Sequence, residues 1–400
     1  MARSEMNPDL SDLRNSPFIA LRELLDPLVP APGLEPLSLT IGEPQNQPPQ
    51  LMKDVLAAND HLYGKYPPGN GTPELHEAIC NWLARRYGLP DGMIDPDRHI
   101  TPANGTKEAL YMLAQIIVDR SKGDKKPTIL IPNPYYHVYH AAAVMAGAEP
   151  VFLNATQENN FFPDLDAIGE DILERCTAFY LCSPSNPQGT VAGSSYMQHA
   201  LELARKYDFT LIMDECYTEI YDTEKPSGIL EVCKNLGGSL DNVVSFHSLS
   251  KRSSAAGLRS GFMVGDEKLT KPLLNLRNFA GAASPLPVYA ASAALWNDDD
   301  HVAENRDRYR TNIDIAQKHL GNRFDFYRPS GGFFLWLNVG DGVEVTKKLW
   351  TEAAIRVLPG EFLSGTDASG VNPGKPYIRV ALVFDPEMME EALTRIADSL

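Results

Sequence analysis

The feature that most constrains the fold is a regular alternation of short apolar segments with longer amphipathic ones between about residues 128 and 280. This order is typical of a mainly parallel, doubly wound sheet. It predicts strands at 128–131, 178–182, 210–213, 243–246 and 260–264, and helices near 139–146, 195–206 and 269–279. In such sheets, functional groups collect where strands meet their following loops.

The length of 400 residues exceeds one simple core, so we expect a large and a smaller domain. An amphipathic helix at 18–25, a proline-rich stretch and a strand at 37–41 form an arm. After residue 300 the pattern predicts a charged helix (301–320), a strand (332–339), a helix (345–355), a strand (378–383) and a closing helix. The predicted division is an arm with part of the small domain at 1–44, a large domain at 45–299 and a small α+β domain at 300–400.

Composition excludes several classes of function. The net charge of -16 argues against a nucleic-acid partner, because phosphate backbones repel such a surface. No apolar run is long enough to cross a bilayer and the first six residues lack an apolar signal core, which favours a cytoplasmic protein. The cysteines form no CxxC pair and the histidines no HExxH spacing, so we expect reduced thiols and no catalytic metal.

The segment 245–252 (SFHSLSKR) leaves a predicted strand and is followed by Arg259. Desolvation and neighbouring cations lower the pKa of a lysine, so the amine of Lys251 could form an imine with a carbonyl cofactor. The hydroxyl groups and Arg259 would bind a phosphate on that cofactor. A solvated lysine in a polar loop is the alternative.

Three other predicted strands end in aromatic or polar groups: 134–136 (PYY), 186–189 (NPQG) and 214–217 (DECY). An aromatic lid, a turn and a helix cap would explain each one separately. Their occurrence together, in this order and ahead of the lysine segment, favours a single site at one edge of the sheet.

Two loop segments that contain glycine precede predicted helices. The first amide groups of a helix attract phosphate, and in the segment 101–110 Gly105 permits close approach while Thr106 adds a hydroxyl. An ordinary capped helix is the alternative. The Gly/Pro loop 63–75, which contains Tyr66, lacks the third glycine and the preceding strand of a dinucleotide fingerprint, so we reject that site.

Together these motifs resemble the fold-type I pyridoxal-phosphate (PLP) aminotransferases of classes I and II, over residues 37–400. Within that family the chain is most similar to the succinyldiaminopimelate aminotransferase group, in segments 104–110, 132–136, 214–221, 246–253 and 370–374. The resemblance implies a large domain with a mainly parallel seven-stranded sheet flanked by helices, plus a smaller α+β domain. Three positions are unusual: Gln188 stands where the turn usually has threonine, Ala256 stands where the group commonly has proline, and Arg252 is unusual for the broad superfamily but suits the group.

The resemblance implies that Lys251 holds PLP as an imine and later moves the proton at the substrate α-carbon. Asp214 would pair with the pyridine nitrogen, and Asn186 and Tyr217 with the phenolic oxygen. Lys251, Asp214 and Tyr217 are thus the predicted catalytic residues. Tyr136 would stack on the ring, with Tyr135 and Tyr139 as competing choices. The implied phosphate ligands are Gly105, Thr106, Ser248 and Arg259, with Lys107 nearby in the cofactor site.

For the substrate, the resemblance implies that Arg379 clamps the α-carboxylate, because the planar guanidinium binds carboxylate through two hydrogen bonds. Gly42 and Asn186 would add contacts. Tyr66 resembles the family tyrosine that reaches the phosphate of the other subunit, which implies a homodimer with composite sites. The ligand of a second carboxylate stays open, with Arg22, Lys65 and Arg277 as candidates.

The predicted function is amino transfer between glutamate/2-oxoglutarate and N-succinyl-2-amino-6-oxopimelate, giving N-succinyl-LL-2,6-diaminopimelate in lysine biosynthesis. The expected partners are small-molecule amino and keto acids, without nucleic acid or membrane. Three alternatives stay open: an aminotransferase of aspartate, alanine or aromatic amino acids, a PLP-dependent C–S lyase, and a regulatory PLP-binding module.

Overall fold

The computed structural model describes residues 7–13, 16–120 and 125–400, so the expectation about the first six residues lies outside it. The α-helices of this part are α1 (Pro17–Leu25), α2 (Gln50–Ala58), α3 (Pro73–Tyr87), α4 (Pro96–His99), α5 (Thr106–Ile117), α6 (His137–Ala146), α7 (Glu170–Leu173), α8 (Ser194–Tyr207), α9 (Ile229–Asn235), α10 (Leu249–Arg252), α11 (Glu267–Ala280), α12 (Leu286–Asn297), α13 (Asp300–Leu320), α14 (Gly342–Ala353) and α15 (Pro386–Ser399). Short 3-10 helices lie at Pro8–Asp12, Asp60–Gly64, Gln157–Asn159, Ala256–Leu258 and Gly360–Leu363.

The strands of the same residues are β1 (Leu37–Ser38), β2 (Ile100–Ala103), β3 (Thr128–Asn133), β4 (Glu149–Asn154), β5 (Cys176–Cys182), β6 (Thr210–Asp214), β7 (Val243–Ser248), β8 (Gly261–Gly265), β9 (Phe334–Asn338), β10 (Ile355–Arg356), β11 (Leu358–Pro359) and β12 (Tyr377–Ala381). Seven of them form one sheet in the order β2-β8-β7-β6-β5-β3-β4. Only β8 runs antiparallel to its neighbours in that sheet. The predicted α/β fold class is confirmed.

Both faces of the large sheet are covered by helices, which explains the uninterrupted apolar runs of its strands. In β3, Leu130 packs into the core on one face, whereas Ile129 and Ile131 pack into the core on the other. The five predicted strands of this sheet are present with bounds shifted by a few residues. Strands β2 and β4 were not predicted, since β2 contains Pro102 and β4 is a partly exposed strand at the sheet edge.

A second body is built from the C-terminal quarter and the arm. Strands β11, β12 and β9 form an antiparallel sheet, and β1 pairs in parallel with β10, so that Leu37 lies opposite Ile355. The arm strand is shorter than the predicted 37–41. These pairings join the arm to the C-terminal residues, while the boundaries at 44/45 and 299/300 stay a prediction. None of the described helices is long and apolar enough to cross a membrane.

Candidate active site

A cavity of about 520 Å³ lies where β5, β6 and β7 end, and its opposite side is formed by β12 and the start of the arm. The predicted site residues that line it are Gly42, Thr106, Lys107, Tyr136, Asn186, Asp214, Tyr217, Ser248, Lys251, Arg259 and Arg379. Gly105 lies directly beside the cavity, in contact with Arg259. Tyr66 is fully exposed and is not among the lining residues of this chain's own cavity.

Lys251 lies in the short helix α10, directly after β7. Its ammonium donates a hydrogen bond to the Gly42 carbonyl and lies 5.5 Å from the centre of the Phe333 ring. Burial lowers the pKa of Lys251 to about 8, and the positive charge of Arg379 acts in the same direction. A much larger fraction of this amine is therefore unprotonated at neutral pH than for an exposed lysine, as a nucleophile requires.

Asp214 is the last residue of β6 and is buried beside the same cavity. The Tyr139 hydroxyl donates to its Oδ2 at 2.7 Å, and the Cys216 amide donates to its Oδ1 at 3.4 Å. Burial raises the pKa of Asp214, whereas the hydrogen bonds from Cys216 and Tyr139 oppose that rise. These hydrogen bonds orient the carboxyl group and favour its ionised form.

The three tyrosines that competed for ring stacking have different surroundings. Tyr135 is buried and stacked on Phe152 at 5.1 Å between ring centres. Tyr139 is buried beneath Asp214 and stacked on another tyrosine, as expected of a core residue. Tyr136 is the most exposed of the three and meets Tyr139 edge to face, so its ring remains the best candidate for stacking on a ligand.

The start of α5 forms a cradle suited to a phosphate. Gly105 has φ +73°, and a Cβ there would collide with the guanidinium of Arg259. That guanidinium donates to the Asn104 carbonyl at 3.1 Å, which places it beside the helix N-terminus. Thr106 presents its hydroxyl 3.2 Å from the Cys216 thiol. A helix start, a hydroxyl and an arginine converge here, so the residues fit the phosphate of PLP.

Arg379 occupies the opposite side of the cavity, on β12. It donates to Asn186 Oδ1 at 2.9 Å and to the Thr40 carbonyl at 2.6 Å, and its guanidinium lies 4.3 Å from the centre of the Phe334 ring. Burial lowers its pKa to about 10, so the side chain stays charged at neutral pH. Among the described residues no carboxylate forms an ion pair with it, which favours binding of an anionic ligand.

Several lining residues were not predicted from the sequence, among them His137, Cys182, Cys216 and Phe334. Burial lowers the pKa of His137 to about 4, with help from the charges of Lys107 and Arg379, so this side chain is neutral at physiological pH. Its position as the first residue of α6, directly after Tyr136, was the only available signal.

The candidates for a second carboxylate lie elsewhere. Arg22 and Lys65 are exposed, and Arg277 is buried against the Pro102 carbonyl and Glu108. None of these three cations is among the described residues that line the cavity. The five cysteines, all within the described part of the chain, form no disulfide. The described residues also contain no cluster of three or more acidic, histidine or cysteine side chains suited to a metal ion.

This fold, with a buried lysine facing an acid and a phosphate cradle, defines a PLP-dependent transferase. Residues 35–396 match the family model for aminotransferase class I and II, so the chain belongs to this family and is a PLP-dependent enzyme. Such enzymes act on amino and keto acids and typically form homodimers. When bound, PLP supplies an aldehyde that carries the amino group and a ring that withdraws electrons.

Three named proteins are similar to this chain over most of its length. The chain is 34% identical to the 4-dedimethylamino-4-oxo-anhydrotetracycline transaminase OxyQ of Streptomyces rimosus, over 90% of this chain and 92% of that protein. It is 30% identical to an LL-diaminopimelate aminotransferase of Dehalococcoides mccartyi, over 92% of both. A crystal structure of an aminotransferase from Neisseria meningitidis superimposes with a TM-score of 0.93 and 39% identity, over 98% of this chain and 99% of that one. None of these three names mentions a succinylated substrate.

Proposed function

We propose that the cavity residues act as the family resemblance implies. Lys251 attaches PLP covalently and transfers the proton at the substrate α-carbon, which is supported by its burial and its lowered pKa. Asp214 keeps the pyridine nitrogen protonated, and Tyr217 with Asn186 binds the phenolic oxygen. Tyr217 and Asn186 both line the cavity, and Asn186 accepts a hydrogen bond from Arg379.

The same proposal assigns the remaining contacts. Tyr136 stacks on the cofactor ring, and the phosphate is held by Gly105, Thr106, Ser248 and Arg259, with Lys107 nearby. Gly42 adds a backbone contact to the substrate carboxylate bound by Arg379. A side chain at Gly42 would collide with Phe334, so glycine is needed for the backbone to approach so closely.

We further propose that the amino acceptor is N-succinyl-2-amino-6-oxopimelate, with glutamate as donor. The observation that carries this proposal is the charge of the cavity: Arg379 provides one carboxylate site at one end, and Lys107 remains as a cation at the mouth. Lys107 is exposed and borders both the cavity and an adjacent groove of about 900 Å³. Relatives named LL-diaminopimelate aminotransferase support a seven-carbon dicarboxylate skeleton.

The adjacent groove supports a composite site in a homodimer. It is mostly apolar, with Tyr111, Met112 and Val288 among its lining residues, and it shares Lys107 and Arg259 with the cavity. An apolar groove open to water beside a polar site is typical of a surface that a second chain covers. We propose that the exposed Tyr66 of each subunit reaches the phosphate site of the other, and that the enzyme works in the cytoplasm.

Absorbance tests the role of the lysine. The purified protein should show the absorbance of covalently bound PLP, and Lys251→Ala should abolish it. An unchanged spectrum in that variant would end the proposal for the cofactor site.

A comparison of acceptors tests the substrate. The kcat/KM for N-succinyl-2-amino-6-oxopimelate should exceed the values for oxaloacetate and pyruvate. A preference for oxaloacetate or pyruvate would reject the proposed acceptor. So would a preference for unsuccinylated LL-diaminopimelate as the amino donor in the reverse direction.

The variant Lys107→Gln tests the distal carboxylate site. It should lower kcat/KM about tenfold for the succinylated acid, which is the cost expected for one charge-assisted hydrogen bond. Pyruvate has no distal carboxylate, so its kcat/KM should fall much less. An equal loss for pyruvate would show that Lys107 acts on the cofactor phosphate and not on the distal carboxylate. Release of pyruvate from cysteine conjugates would instead indicate a C–S lyase.

A further inference from the structure

Two buried asparagines of helix α13 donate hydrogen bonds to backbone segments on opposite sides of the cavity. Asn305 donates from its amide to the carbonyl oxygens of Lys251 at 3.0 Å and Arg252 at 3.2 Å. Asn312 donates to the carbonyls of Leu382 at 3.1 Å and Phe384 at 2.9 Å. Each side chain therefore joins two consecutive or nearly consecutive backbone carbonyls to the same helix.

The two attachment points are the segments that carry the charged ends of the cavity. The first includes Lys251 itself, and the second directly follows β12, which carries Arg379. Asn305 and Asn312 are seven residues apart, so they lie on one face of the helix and about 10 Å apart along its axis.

The side chain between them continues the same contact. Tyr309 is buried and stacked on Phe333, with 4.9 Å between ring centres. Phe333 in turn lies 5.5 Å from the Lys251 ammonium and 4.9 Å from the ring of Phe334, against which Arg379 is placed. One face of α13 thus supports both ends of the cavity without lining it.

The hydrogen bonds of Asn305 have a specific physical reason. The carbonyls of Lys251 and Arg252 lie in the last turn of a four-residue helix, where carbonyls have no partner within the helix. An unsatisfied buried carbonyl is costly, so the amide of Asn305 determines where this turn can lie.

We propose that α13 sets the position of Lys251 relative to Arg379, with Asn305 and Asn312 as the positioning residues at its two attachment points. This inference rests on the proposed roles of Lys251 and Arg379. Neither asparagine is among the described residues that line the cavity, so both act through the backbone that they hold.

The charges of Lys251 and Arg379 predict an effect that can be measured on the holoenzyme without substrate. Arg379 contributes to the lowered pKa of Lys251, after burial. In the holoenzyme the Lys251 nitrogen would carry its proton as a cofactor imine, which a neighbouring cation disfavours in the same way. Release of either attachment point should let Arg379 move away from this nitrogen and so raise the pH midpoint of the absorbance change of the bound cofactor. Asn305→Leu and Asn312→Leu remove the donors at similar volume and without new charge, and exposed Glu304 on the same helix provides the control Glu304→Gln.

In the holoenzyme, each Leu variant should raise the midpoint by about half a pH unit, the size expected when one of several neighbouring cations moves away. Each should also lower kcat/KM about tenfold or more, because small misplacements of reacting groups are costly. Glu304→Gln should change neither quantity. In an Arg379→Ala background the Leu variants should no longer move the midpoint.

A midpoint that is unchanged or lowered, with only the melting temperature reduced, would show a purely structural role and overturn the inference. The same conclusion follows if the Leu variants shift the midpoint equally with and without Arg379. Should Asn305→Leu not fold, the smaller Asn305→Ser carries the test. Failure of the proposed substrate would appear as a different keto-acid preference of the unaltered enzyme, and failure of the lysine's role as cofactor absorbance retained in Lys251→Ala.

Discussion

Tyr139→Phe provides a sharp test of how the chain controls the acid opposite the lysine. The substitution keeps the ring, which is stacked on Tyr180 at 4.5 Å and 9°, and removes the hydroxyl that donates to Asp214 at 2.7 Å. Burial already raises the pKa of Asp214. Because the hydrogen bond from Tyr139 favours the ionised carboxylate, its loss should raise this pKa further.

The magnitude follows from the strength of such a bond. A hydrogen bond to a charged group contributes about 1.5–3 kcal/mol, and about 1.4 kcal/mol corresponds to a factor of ten. The proton affinity of Asp214 should therefore rise about 10- to 100-fold. In the proposed site a protonated Asp214 would no longer keep the pyridine nitrogen charged, so activity lost on acidification should be lost at a higher pH than in the unaltered enzyme. Retention of PLP should weaken by about tenfold or more for the same reason.

The assay is the pH dependence of kcat/KM together with the rate of PLP release. Tyr180→Phe is the matched control: Tyr180 is also fully buried, and its hydroxyl donates at 2.7 Å to the Leu110 carbonyl rather than to Asp214. Both variants should melt at lower temperature, but only Tyr139→Phe should move the acidic limb. Coincident pH profiles for the two variants would refute the reasoning.

Three further outcomes follow from the site and the sheet. Arg379→Lys keeps the charge but loses the planar fork, so kcat/KM should fall about 100-fold at saturating PLP, and an unchanged kcat/KM would contradict the carboxylate role. The rate at which the cofactor-free protein takes up PLP should rise as the pH passes about 8 and then level off, because burial lowers the pKa of Lys251 to about 8. Absorbance measures this rate. A rate that keeps rising up to the ordinary pKa of lysine would show that the reacting amine is not the buried Lys251. In Gly261→Ala the new Cβ would lie 2.5 Å from the His247 carbonyl oxygen on β7, so the free energy of unfolding should fall by about 1–3 kcal/mol. Gly193→Ala is the control, because a Cβ at Gly193 meets nothing within 4 Å. Equal melting temperatures for the two variants would show that the strands adjust freely.

Much of the fold was predictable because the relevant signals are local. Strands buried on both faces appear as apolar runs, and the five that were predicted lie side by side in the order β8-β7-β6-β5-β3, with β2 and β4 at the two edges of the large sheet. The edge strand β4 gave a weaker signal, since its residues are only partly buried.

The candidate site was predictable in part for a related reason. Parallel strands place their carboxyl ends at one edge of the sheet, so Asp214 and Lys251, at the ends of β6 and β7, had to lie near each other. The role of Tyr139 was not predictable, because only the tertiary structure shows which of three neighbouring tyrosines meets Asp214.

The sequence by itself thus determined five strands of the large sheet, the order of the chemical groups along its edge and the family to which the chain belongs. Only the tertiary structure decided which groups meet across long separations, such as Arg379 with Asn186, 193 residues apart, and Asn305 with the backbone of Lys251. The physical reason is that periodicity and turn chemistry act over a few residues, whereas these contacts depend on how elements far apart in the sequence pack against each other.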